Sequence, residues 1–406
     1  MPVLLIGTLD TKGAEFAFVR DRLQQAGLSC LVADASVLGD PQFRADIAAT
    51  ELFAAAGVSR DELRQRGDRG EAITAAARGA IVLAQRLLAE GRLQGVLGLG
   101  GSAGTTIATA AMRALPFGLP KVMVSTLASG QVRPYVGVSD IAMFHPVVDL
   151  SGLNRLSRTV LANAAAAMVG MVQTGSVLPT ESDRPLLGAT MFGVTTPCVE
   201  AGRTLLERAG YEVLVFHAVG TGGQTLETFV RDGLIRGVLD VTTTELADEL
   251  VGGVLSAGPD RLEAAGRAGI PQVVSVGAMD MVNFGPRETV PAHFQNRRFY
   301  QHNPNVTLMR TTVEENDQLG RLLADKVSRS TGPAAVFVPL RGVSALDCEG
   351  QPFWWPEADA ALFAALRSGI REPARLVELD LHINDPAFAE AMAGCLLEWL
   401  QNRPKS

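Results

Sequence analysis

Cysteine is scarce and scattered. Cys30, Cys198, Cys348 and Cys395 lie far apart, which excludes the close pairs of a zinc site and the density of a disulfide scaffold and suits reduced thiols in the cytosol. No strong excess of one charge is present either. With 36 basic and 43 acidic residues the net charge is -7, which argues against a general grip on nucleic acid or on an anionic membrane. Long hydrophobic runs are also missing. The most apolar segment, VLANAAAAMVGMV, is Ala-rich, is interrupted by Asn163, and falls short of the roughly 20 residues that cross a bilayer, so it is expected to be a buried helix. The N-terminus, MPVLLIG, has no basic leader and reads as a first strand. A cytoplasmic protein without membrane or nucleic-acid partners is expected.

Several catalytic signatures are absent as well. No Gly-Lys pair occurs in the chain, which rules out a Walker A loop. The dinucleotide fingerprint fits loosely as Gly98-x-Gly100-x-x-Ala103. The following strand, KVMVSTLASG, lacks the acid that would bind a ribose, so a nicotinamide dehydrogenase is disfavoured. His145 and His302 each precede a turn-forming dipeptide and have no close His or Cys partner at metal-ligand spacing.

What is present is an alternation of short β-branched runs with longer helical patterns, the signature of α/β units around mostly parallel sheets. VLLIG, LSCLVAD, LQGVLGLG and KVMVST read as strands, and AEFAFVRDRLQQAG as a helix stopping at Gly27. Three blocks then recur in order. The segment from Val3 parallels that from Pro185, LQGVLGLGGSAGTT corresponds to IRGVLDVTTTELAD, and LPKVMVSTLASG to IPQVVSVGAMDM, which suggests two copies of one unit. The linker is placed in QTGSVLPTESDRP, Gln173–Pro185, giving an N-terminal α/β domain over 1–178 and a C-terminal α/β domain over 179–406. Beyond Pro291, NVTLMRTT, AAVFVPLRG and ARLVELDLH are expected to extend the second sheet, closed by the helix EAMAGCLLEWL.

In open parallel sheets ligands bind at the carboxyl ends of the strands. There the first copy carries GTLDTKG, GLGGSAGTT and STLASGQ, all rich in Gly, Ser and Thr. Backbone amides at a helix start suit phosphate, and Gly98, Gly100, Gly101 and Gly104 would remove the Cβ atoms that block its approach. Ser102, Thr105 and Thr106 add hydroxyls, Lys12 a compensating charge, and Asp10 a water-mediated hold on a magnesium ion. The bland reading of each loop is a tight turn that uses glycine for packing alone.

The second copy replaces these glycines with Thr242, Thr243 and Thr244 beside Asp240, Glu245 and Asp248. Helix capping and catalysis both stand as readings, the second with Asp240 and Glu245 as general base or metal site facing a cleft. VGTGGQT offers another anion turn. Arg297, Arg298, His302 and Arg310 group in one segment, and Arg341 follows an apolar strand, where its fork suits a carboxylate or phosphate. Arg341 and His302 are the candidates for a second, small anionic ligand.

The chain resembles the family of the tomato mosaic virus resistance protein and its uncharacterised bacterial homologues, the Tm-one-like ATP-binding proteins. The resemblance is carried in order by IGTLDTKGAE, GLGGSAGTT, MVSTLASGQVRPYVGVSDIAMFHPVVDLSGLNRL, GVLDVTTTELADELVGG and HNPNVTLMRTT. It covers nearly the whole chain and implies two Rossmann-like domains, ATP in the N-terminal one, and a homodimer. The implied nucleotide contacts fall on Gly7, Thr8, Asp10, Thr11 and Lys12; on Gly100, Gly101, Ser102, Gly104 and Thr105; on Thr126, Ala128, Ser129 and Gly130; and on Asp140 in the segment Gly137 to Asp140. The expected function is ATP binding without an assigned reaction. The alternative is an ATP-dependent kinase or ligase, or a hydrolase, acting on a small carboxylate between the domains through Asp240, Glu245, His302 and Arg341.

Overall fold

The structure, a computed structural model, describes residues 1–175 and 183–402. The chain divides into two compact units between residues 179 and 180, and the boundary expected after residue 178 likewise lies outside the described residues. Fourteen strands are described. Those of the first unit are β1 (Val3–Gly7), β2 (Cys30–Asp34), β3 (Gly95–Gly100), β4 (Lys121–Ser125) and β5 (Ala142–Phe144). Those of the second are β6 (Leu186–Met191), β7 (Glu212–His217), β8 (Ile235–Thr242), β9 (Gln272–Gly277), β10 (Met281–Phe284), β11 (Phe299–Asn303), β12 (Val306–Arg310), β13 (Ala334–Pro339) and β14 (Ala374–Leu379).

In the first unit all pairings are parallel and the order is β2-β1-β3-β4-β5. Its strands are nearly continuous apolar runs because both faces are covered. Along β1, Leu4 and Ile6 enter one core while Val3 and Leu5 enter the other, as the two-residue period requires. The first core packs the helices Ala49–Ala55, Arg69–Ala89 and Ser102–Arg113, and the second packs Leu9–Gln25 and Arg155–Thr174. The chain thus leaves β1 toward one edge and returns to β3 on the other side, with the following helices on opposite faces. That places a topological switch point, where open α/β sheets gape at their carboxyl edge, between β1 and β3.

Local signals set the helix ends. Gly27, at φ +83°, follows the helix Leu9–Gln25, a conformation that costs glycine little. Asp68 accepts from the Glu71 N–H at 2.9 Å and starts Arg69–Ala89. Asn154 and Ser157 form a reciprocal capping box at the start of Arg155–Thr174. That last helix contains VLANAAAAMVGMV and buries Leu161, Ala164, Ala165 and Met168. Arg69–Ala89 is long and apolar enough by length and composition to cross a bilayer, yet its Ala76, Ala80, Leu83 and Leu87 lie in the first core.

In the second unit six parallel strands run β14-β13-β9-β8-β6-β7. The order β7-β6-β8-β9 is the same as β2-β1-β3-β4, while the internal repeat itself remains a reading of the letters. AAVFVP and ARLVEL extend this sheet as expected. NVTLMR does not. It forms β12, the centre of a separate antiparallel sheet ordered β10-β12-β11. The reason is local: β11 and β12 are joined by a short turn after Asn303, and so tight a link permits only antiparallel pairing.

Candidate functional site

A cavity of about 450 Å³ opens at the switch point of the first unit, within the size range of small-ligand sites. Thr8, Asp10, Thr11 and Lys12 enter it from the end of β1, and Ala35, Val37 and Leu38 from the end of β2. Gly101, Ser102, Ala103, Gly104 and Ile107 come from the end of β3 and its helix, Arg69, Ala72 and Ile73 from the first turns of Arg69–Ala89, and Asp149 from the segment after β5. One wall is therefore aliphatic and the facing one carries hydroxyls, amides and charge.

The amide side is built by the start of the helix Ser102–Arg113. Gly101 is its N-cap and offers no side chain, and the N–H groups of Ser102, Ala103 and Gly104 find no acceptor among the described residues. Together with the helix dipole they leave a positive end directed at an anion. The glycines here have different jobs. A Cβ on Gly7 would lie 2.3 Å from Phe16 Cζ, one on Gly98 2.3 Å from Ala108 Cβ, and one on Gly104 2.9 Å from the Leu99 carbonyl oxygen. These three are glycine because helix and strand pack closely, which corrects the view that Gly98 and Gly104 were cleared for a phosphate. A Cβ on Gly101 would meet nothing nearer than Thr126 Oγ1 at 3.7 Å. At Gly101 the surrounding protein leaves room.

The β1 side is braced from β2. Buried Asp34 accepts from the Leu9 N–H at 3.2 Å and from Ser36, whose hydroxyl accepts from the Asp10 N–H at 3.0 Å. Burial pushes the Asp34 carboxyl above its usual range, opposed by the bonds from Ser36 and Leu9. Asp10 Oδ2 accepts from the Gly39 N–H at 3.1 Å, whereas Oδ1 is buried without a partner. The Thr8 and Thr11 hydroxyls lie 3.0 Å apart, and the Lys12 ammonium donates to the Leu150 carbonyl.

Of the residues expected to hold a nucleotide, Thr8, Asp10, Thr11, Lys12, Gly101, Ser102 and Gly104 line this cavity, and the others do not. Gly7 and Gly100 are buried strand ends. The Thr105 hydroxyl is turned inward, 2.7 Å from both the Gly101 carbonyl and Ser125 Oγ, so it positions the loop. Thr126 donates its N–H to the Gly100 carbonyl at 3.3 Å, and Ala128 and Gly130 form the turn behind it, with Ser129 between them. Asp140 is a clear correction. It precedes β5 and accepts from the ammonium of Lys121, the first residue of β4, at 2.6 Å and from the Gly118 N–H at 2.8 Å. That is the amino edge of a parallel sheet, the far end from the cavity. Letters alone missed Arg69, Ile73 and Asp149; the Asp68-to-Glu71 capping signal before an apolar run marks where Arg69 enters.

In the second unit the expected acid–base pair faces no cleft. Asp240 and Glu245 are buried and ion-paired to the buried Arg261, whose Nη1 and Nη2 reach Asp240 at 2.6 and 2.7 Å and whose Nε reaches Glu245 at 2.7 Å. Burial raises the Glu245 carboxyl, and Arg261 opposes that rise. Its other oxygen accepts from the Gly220 and Gly223 N–H groups at 2.7 and 3.0 Å. The anion turn read in VGTGGQT is therefore occupied by the protein's own carboxylate. Asp248 is also buried and bonded to Asn283, with burial pushing it up to about 7. Arg341 is exposed and held by Asp380 at 2.7 and 2.8 Å, and His302 lies exposed on β11. The fold does not gather these four into one site. Among the described residues no group of three or more His, Cys, Asp or Glu forms a metal set.

Comparison with known sequences follows the same two-unit division. Residues 1–176 match the N-terminal domain of an uncharacterised protein family (UPF0261), and residues 184–400 match its C-terminal domain. A UPF0261 protein of Clostridium tetani is 50% identical over 400 residues, taking in 98% of this chain and 99% of that protein. A UPF0261 protein of Mesorhizobium japonicum is 46% identical over 396 residues, 97% of this chain and 98% of that one. The ToMV resistance protein Tm-1 of Solanum lycopersicum is 47% identical over 315 residues, 76% of this chain and 42% of the tomato protein. The resemblance carried by the motifs is thereby borne out.

Proposed function

The chain belongs to the UPF0261 family, and from the geometry of its N-terminal unit we propose that it binds a nucleotide, ATP in the first instance, in the cavity between β1 and β3. The observation that carries this reading is the set of three unpartnered N–H groups at Ser102, Ala103 and Gly104, opening at a switch point opposite an aliphatic wall. Phosphate oxygens accept from those amides and from the hydroxyls of Thr8, Thr11 and Ser102, while Lys12 adds charge. A base lies on Ala72, Ile73 and Ile107. The buried, unpartnered Oδ1 of Asp10 suits a magnesium ion held through water, a cation that keeps most of its waters and takes the rest of its ligands from phosphate. The four free thiols agree with a reducing, cytosolic setting.

Gly101→Val tests the cradle, because the protein itself leaves room for a side chain there. Calorimetric titration should show ATP binding to the wild type and binding weaker by at least roughly tenfold in the variant, about the loss of one charge-assisted hydrogen bond. No ATP binding, or equal binding by the folded variant, contradicts the reading.

A further inference from the structure

The cavity wall proposed to take the base is made of Ala35, Val37, Leu38, Ala72, Ile73 and Ile107. No aromatic side chain contributes to the lining. Among the lining residues the guanidinium of Arg69 is the one side-chain group both large and flat enough to cover a ring. Guanidinium planes are weakly hydrated and stack on π-systems, which an ammonium does less well.

The position of Arg69 fits that use. It is the first residue of the helix Arg69–Ala89, so Ala72 and Ile73, three and four residues on, share its face. Its side chain leans toward the helix start, at the rim of the cavity whose wall those two residues help to line. Nearby arginines are committed elsewhere. Arg60 donates to the Ser36 and Gly39 carbonyls at 2.9 and 2.6 Å, Arg64 lies 3.6 Å from Asp40, and Arg66 pairs with Glu71 at 2.7 Å. Arg69 is exposed and has no ion-pair partner among the described residues.

We propose that Arg69 is the specificity-determining residue for the base, laying its guanidinium on the outer face of a ring whose inner face rests on Ala72 and Ile73. The assignment depends on the nucleotide reading of the cavity and adds to it the preference for a flat heterocycle over a bare polyphosphate. Arg69→Lys keeps the charge and removes the plane, and Arg69→Gln removes the charge and leaves only a small amide plane on a shorter stem. Because the residue is exposed, neither change disturbs the core.

Titration of the wild type and both variants with ATP and with tripolyphosphate, magnesium present, decides the matter. Both variants should bind ATP roughly tenfold more weakly, the scale of a stacking contact, and bind tripolyphosphate within about twofold of the wild type. The lysine variant decides even where tripolyphosphate binding is too weak to measure. If Arg69→Lys binds ATP as the wild type does, charge alone is at work and the stacking role is wrong. If tripolyphosphate weakens as much as ATP, Arg69 is a phosphate contact and the role is again wrong. A wild type that binds no ATP removes the nucleotide reading itself, an outcome distinct from either.

Discussion

Arg261 sits buried among three carboxylates, those of Asp240, Glu245 and Glu227. Replacing it with leucine leaves those acids without their counter-ion, and breaking a buried pair from one side costs about 3–5 kcal/mol. Urea denaturation of Arg261→Leu should show a loss of that size; a loss under about 1 kcal/mol would mean the cluster does not hold the fold. Asp240 and Glu245 were visible in DVTTTELADEL, but their use was not. Helical capping patterns are local, whereas Arg261 is 21 residues from Asp240 and 34 from Glu227, and no spacing rule connects them. Lys12, Gly101 and Ser102 were legible for the opposite reason, since they lie in the loops that directly follow strands. Arg69 enters from a helix that precedes β3, so attention to strand ends passes over it.

Among the elements, β12 shows how a short strand is bolted to a larger sheet. Its terminal Arg310 is buried and reaches Asp359 at 2.6 Å, Asp347 at 3.5 Å and the Phe353 carbonyl at 2.8 Å. Asp280, just past β9, faces the same group and accepts from Ser344 at 2.8 Å. Burial first, and the neighbouring Asp347 second, raise both Asp280 and Asp359, and burial pushes Asp248 up to about 7. The unfolded carboxyls titrate near pH 4. These three groups therefore hold more protons in the folded chain than in the unfolded one above about pH 4, and the stability they contribute falls as pH rises through the raised values. All three tryptophans, Trp354, Trp355 and Trp399, belong to this unit, so their fluorescence reports its unfolding. The urea midpoint should be higher at pH 5 than at pH 8; the reverse order would show that these acids are ionised in the fold. The strands themselves were readable wherever both faces are buried. β12 was read as a strand but assigned to the wrong sheet, because its partner FYQHN is half-exposed and carries no apolar run.

At the scale of the molecule, the alternation of strand and helix patterns announced two α/β units before any contact was known, and the sheet orders add where each unit gapes. In the first unit the gap remains as a cavity. In the second, carboxylates of the chain itself fill the helix starts, as Glu245 does at Gly220 and Gly223. Light scattering should give twice the mass of one chain, the homodimer that the family resemblance implies; a single-chain mass at micromolar concentration would contradict it. The nucleotide reading meets its most direct test in a crystal structure of the protein grown with ATP and magnesium. It should place the phosphates within about 3 Å of the Ser102, Ala103 and Gly104 amides, with the base against Ala72 and Ile73. ATP bound elsewhere on the chain, or a β1/β3 cavity left empty at saturating nucleotide, would contradict the account.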